Sequence, residues 1–217
     1  LDLQTHHVRD TMTGPTVFRS LTGKYGLNPV LSGTAPAKDS LHRANYVKEI
    51  FFDSDTVMAC LTGAAFGPPD KYVLSSEDIV ATRNLVNEAA GSRRMLAHGI
   101  GTLASANWLE EAERQVRELR IDAWKFYTGD PLQPWRHDDE KLVYPFYEKT
   151  LKLGVRNICT HKGLPLPGPG ADYFRPDDVL KAAKDWPDLN FIVFHSGMKH
   201  MMTMLLPGQS GIDESGN

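Results

Sequence analysis

Only two cysteines occur in the 217 residues, Cys60 and Cys159, each inside an apolar run, TVMACLTG and VRNICTHKG. This favours two reduced, buried thiols over a disulfide framework, and with them a reducing, cytoplasmic setting. No apolar run reaches about 18 residues, so no helical membrane span is expected. The first twenty residues contain Asp2, His6, His7, Arg9, Asp10 and Arg19 and lack a hydrophobic stretch of signal-peptide type. The net charge is -3, and the short SRR at 92–94 is no track for nucleic acid. Neither GxGxxG nor GxxxxGK[ST] follows a strand, and GxSxG is missing, which removes the phosphate loops and the serine-hydrolase elbow. What remains is a small-molecule partner, with no nucleic acid and no membrane, and with self-association left open.

The composition, 41% hydrophobic and 24% charged with 18 Gly and 14 Pro, suits an ordinary globular protein rich in loops. One domain over 1–217 is expected. Apolar segments at 1–5, 56–61, 94–99, 121–127, 156–160 and 190–195 read as strands. Segments of helical period separate most of them. One runs from Tyr72 to Gly91, with Ser75 three before Asp78 and an apolar set of Ile79, Val80, Leu85, Val86 and Ala89. Others are HRANYVKEIFF (42–52), SANWLEEAERQVRELR (105–120), DDEKLVYPFYEKTLKLG (138–154) and RPDDVLKAAKDWPDL (175–189). In 138–154, Pro145 either kinks the helix or opens a shorter one. Near-continuous apolar strands alternating with helices predict an α/β fold with parallel strands covered by crossover helices. An open doubly wound sheet and a (β/α)8 barrel both satisfy the pattern. The missing phosphate loops and the long polar segments after several strands favour the barrel, with about six βα units in this sequence.

Three histidines stand just beyond apolar strands: LDLQT then His6, NICT then His161, FIVF then His195. Parallel strands bring such positions to one face. Three imidazoles with an open position for water suit zinc or another divalent metal, which would supply hydroxide near neutral pH and polarise a carbonyl. His6, His161 and His195 are therefore the expected metal ligands. Lys125 in DAWKFYTG must dispose of a charge between Trp124 and Phe126 by pairing, by a lowered pKa, by carbamylation or by reaching water. His98 is a further candidate for the pocket wall. His7, His42, His137 and His200 read as surface or loop residues. Cys159 faces the same side as His161 without forming a triad.

With these residues in view, the strand ends resemble the amidohydrolase superfamily, in particular its aminocarboxymuconate-semialdehyde decarboxylase-like branch. DLQTH is similar to that family's Asp-x-His-x-His, with Gln4 in place of the first histidine and His6 as the second. THKG and FHSG supply His161 and His195 for the fifth and sixth strands. The resemblance implies a (β/α)8 barrel and a metal-dependent hydrolase acting on an amide, ester or lactone, with His195 and Lys125 catalytic and a divalent metal, zinc, as the expected ion. It equally implies, as alternatives, a metal-dependent nonoxidative decarboxylase, for which Arg136 is the one candidate arginine, or a catalytically vacant barrel that binds or scaffolds. Gln4 motivates the last. The family's eighth-strand Asp has no counterpart here, so the barrel is expected to be incomplete at the C-terminal end of the sequence.

Overall fold

The structure, a computed structural model, describes residues 1–12, 40–65, 68–103, 105–130, 133–163 and 170–197. His200 and the segment 201–217 lie outside the described residues. Six strands form one parallel sheet in sequence order: β1 (Asp2–Thr5), β2 (Ala59–Leu61), β3 (Met95–Ile100), β4 (Ala123–Tyr127), β5 (Asn157–His161) and β6 (Asn190–Phe194). Helices α1 (Arg43–Phe51), α2 (Ser76–Ala90), α3 (Trp108–Arg117), α4 (Tyr144–Lys152) and α5 (Asp177–Asp185) connect them. Because each crossover returns to the neighbouring position, the sheet curls into a half-barrel of six βα units, the α/β barrel architecture expected from the pattern.

The helix ends follow from local chemistry. Ser75 and Asp78 form a reciprocal capping box at the start of α2, and Gly91 ends it in the left-handed region at φ 59°. Pro145 lies in the first turn of α4, so the shorter-helix alternative holds. Pro176 immediately precedes α5. The apolar stripe of α2 is narrower than its sequence suggests: Ile79, Val80 and Val86 are buried, but Leu85 is 50% exposed.

The core lies between the convex face of the sheet and the helices. Trp124 and Phe126 of β4 project outward into a cluster with Trp108 of α3 and Phe146 of α4, with ring centroids 5.3–6.1 Å apart. Trp124 Nε1 donates to Thr150 Oγ1 at 2.6 Å, satisfying its one polar atom. The strict alternation of β4 then obliges Lys125 and Tyr127 to face the concave side.

A second polar knot secures the top of this layer. His137 is wholly buried, its ring held between Tyr147 Oη (2.6 Å) and Thr160 Oγ1 (2.8 Å). Asp178 Oδ2 accepts from the His137 backbone N–H and from Lys162 Nζ, both at 2.8 Å. His137 thus sits on a loop, as expected, but that loop is buried in the core and not at the surface. The same correction applies to His7, which is buried between the Val8 carbonyl (2.9 Å) and Thr82 Oγ1 (3.0 Å). In both, a polar tip finds partners from elements remote in sequence, which no local pattern announces.

Candidate ligand site at the strand ends

The concave face carries a chain of titratable groups. The ladder sets Lys125 beside Cys159, and His161 beside both Tyr127 and Phe194. The His161 ring stacks on Tyr127 at 4.9 Å and lies 4.3 Å from the ring of His195. His195 falls one residue past β6 and takes φ 66°, a left-handed conformation that costs a non-glycine residue about 1–2 kcal/mol. That turn lays its ring against His161 instead of continuing the strand to residue 195 as expected.

His6 is placed differently. Its Nδ1 faces the Thr62 carbonyl at 2.9 Å, and its Nε2 lies 3.2 Å from Gln4 Nε2. The consistent assignment has Nδ1–H donating to Thr62 while Nε2 accepts from the Gln4 amide. Gln4 also bonds the Tyr127 hydroxyl. Gln4 therefore occupies the Nε2 lone pair of His6. Desolvation, then repulsion from Lys125, holds the His6 ring below the usual imidazole range. The residue as a whole is exposed, which weakens this effect.

Lys125 is fully buried and its Nζ has no hydrogen-bond partner among the described residues. The amine sits 3.6 Å from the centroid of Tyr127 and 5.3 Å from that of Phe194. Desolvation pulls its pKa down to about 7. The neighbouring imidazoles respond: His98 is lowered to about 3 by burial and then by Lys125, and His195 is lowered by the same two causes. His98 Nε2 is 3.9 Å from Cys159 Sγ. Burial raises the Cys159 thiol to about 12 and Cys60 to about 11; both are free, as the sequence indicates.

The structure thus brings His161 and His195 together, with Lys125 and His98 nearby, but it does not assemble a metal centre. Among the described residues no group of three or more His, Cys, Asp or Glu is placed to hold a metal ion. The expectation of zinc or another divalent ion on His6, His161 and His195 is overturned. With it go the metal-dependent hydrolase and the metal-dependent decarboxylase. The physical reason is donor geometry, since the Nε2 lone pair of His6, the one left once Nδ1–H is on Thr62, is met by the Gln4 amide. Arg136 is also removed from the site: it pairs with Asp138 (2.9 Å) and Asp177 (3.0 Å) beside the start of α5.

Two hollows were not anticipated from the sequence. One of ≈780 Å3 lies at the end of β3, bordered by Tyr72, Ser76, Trp108, Glu111 and Arg114, away from the histidines. Its arginine is already paired with Glu77 and Glu111. The other, ≈130 Å3, is on the concave face and includes Cys60, Leu96, His98, Cys159, Ile192 and Phe194. Alternation within the strands was the available signal for it. Among the described residues no helix is long and apolar enough to cross a membrane.

An amidohydrolase family model matches residues 54–206. The solved structure of 2,6-dihydroxybenzoate decarboxylase from Rhizobium is similar at a TM-score of 0.53 and 17% identity, covering 90% of this chain and 66% of that one. A 2,6-dihydroxybenzoate decarboxylase complexed with 2,6-dihydroxybenzoate gives 0.51 and 16%, covering 90% and 67%. At such identities the likeness is one of fold. The chain spans about two thirds of the length of these decarboxylase chains. No curated protein sequence matches it.

Proposed function

The chain belongs to the amidohydrolase family, and from that membership we propose a catalytically vacant barrel that binds a small molecule at its strand ends. The observation that carries the reading is the Gln4–His6 contact: the amide fills the coordination direction of the imidazole, and Thr62 holds the other nitrogen. The binding groups in this reading are His161, His195 and Lys125, with His98 on the wall. The imidazoles of His98 and His195 are held toward the neutral form, because burial and then Lys125 disfavour the charged form. Neutral rings each offer one donor and one acceptor, which suits a polar ligand with an apolar body set against Tyr127 and Phe194. The THKG and FHSG strand ends, together with the decarboxylase-like fold, support a place in the aminocarboxymuconate-semialdehyde decarboxylase-like branch.

The test is metal analysis of protein purified without chelator, combined with thermal unfolding with and without chelator. Substoichiometric metal and an unchanged midpoint are expected. One equivalent of metal whose removal lowers the midpoint would overturn the proposal, because a metal that binds only the folded state stabilises it.

A further inference from the structure

The larger hollow, ≈780 Å3 at the end of β3, plays no part in the reading above, yet it falls within the size of small-molecule sites, about 300–1,000 Å3. Three carboxylates line it: Glu77 from the first turn of α2, Glu111 from α3 and Asp130 beyond β4. Arg114 is the one cation among its described lining residues, and that guanidinium is shared between Glu77 and Glu111. This triad by itself is a clamp holding α2 to α3 at a partly exposed surface. It does not account for Asp130, which is 2% exposed, or for Tyr72. Tyr72 is 6% exposed, and its hydroxyl makes no hydrogen bond among the described residues. Burial, then Asp130 and Glu111, push its pKa up to about 12, so a neutral phenol stands in the field of two carboxylates that line the same hollow. Three carboxylates against one guanidinium leave two negative charges. The N-termini of α2 and α3, each equivalent to about half a positive charge, offset roughly one of them.

We propose that this hollow binds a small organic cation, a protonated primary amine with an apolar body, whose ammonium meets the Tyr72 oxygen and the carboxylates of Asp130 and Glu77. An ammonium carries three donors and no acceptor. It therefore gives the buried hydroxyl oxygen a hydrogen bond and offsets the remaining negative charge with one group. A neutral ligand does only the first, and an anion meets the carboxylates as a like charge. Pro68, Pro69 and Ile100 supply apolar surface for the body of the ligand. The Arg114 clamp ties together the two helix ends that border the hollow, so the site is formed before a ligand arrives. Its residues are separate from the strand-end histidines, and the inference does not depend on whether the barrel is catalytically vacant.

The experiment titrates the full chain near pH 7 by calorimetry with probes of similar shape and different charge: phenethylammonium, neutral 2-phenylethanol and anionic phenylacetate. Phenethylammonium is expected to bind about tenfold or more tightly than either of the others. Tyr72→Phe, which keeps the ring and removes the hydroxyl, and Glu77→Gln, at the exposed end of α2, are each expected to weaken the amine about threefold or more. Asp130→Asn is expected to weaken it about tenfold. Circular dichroism checks that each variant is folded; should Asp130→Asn fail to fold, Tyr72→Phe and Glu77→Gln decide. Equal or tighter binding of the alcohol or the carboxylate overturns the inference, as does no amine binding up to about 10 mM. Amine binding that the folded variants leave unchanged overturns it as well, because the cation then sits elsewhere on the protein.

Discussion

The Lys125 amine lies 3.6 Å from the centre of the Tyr127 ring, two residues farther along the same strand. The ring offers a cation–π contact worth about 2 kcal/mol when desolvated, yet desolvation prevails and the pKa falls to about 7. The folded state therefore releases a proton that an unfolded lysine keeps up to about pH 10.4. Between those values the unfolded chain binds more protons, so wild-type stability rises with pH at about 1.4 kcal/mol per unit from this group. Lys125→Met is expected to be more stable than wild type near pH 7, with the difference shrinking toward pH 10. Urea unfolding at several pH values checks it; a difference independent of pH would place the amine in a solvated or paired state.

Acid has the same sign for a different reason. His98 is lowered to about 3, and His137 lies well below the ordinary value, in each case through burial and then a lysine. Unfolded histidines protonate near 6.5. Below that pH the unfolded state gains protons that the folded one refuses, so stability is present above 6.5 and is lost as pH falls toward the folded values. Each ring contributes about 1.4 kcal/mol per pH unit. His98→Leu is expected to reduce the slope of unfolding free energy between pH 6 and 4 by about one proton, measured by urea titration.

Asp178 and Lys162 form a pair with almost no solvent contact. Asp178→Ala leaves the Lys162 charge and the His137 N–H without their acceptor, and a loss of about 3–5 kcal/mol is expected. Lys162→Met in the Asp178→Ala background should recover part of that loss. A denaturation double-mutant cycle reads the coupling directly.

Trp124→Ala is expected to remove about 3–5 kcal/mol by opening a cavity among Trp108, Phe126 and Phe146. Trp124→Phe keeps most of the packing and loses the donor to Thr150, so its cost is expected to be smaller. Equilibrium unfolding of both variants separates ring volume from hydrogen bond.

At the start of α2, Ser75→Ala removes the acceptor for the Asp78 N–H and one donor to its carboxylate. A loss of about 0.5–2 kcal/mol is expected by the same measurement.

Much of the architecture was written in local order. Apolar runs separated by helical periods, Ser75 and Asp78 at capping distance, Gly91 as a stop and Pro145 in a first turn all act within a few residues. The same periodicity determined that Trp124 and Lys125 must face opposite sides of one sheet, and it put His6, His161 and His195 at strand ends. Which of these meet was decided by tertiary structure alone. His195 turns into the left-handed region against His161, while His6 is held between Thr62, 56 residues away, and Gln4. His7 and His137 enter the core because distant hydroxyls receive their nitrogens. Coordination and burial depend on where a nitrogen lone pair points and what already fills it, and those directions arise from contacts between elements, which strand and helix periods do not encode.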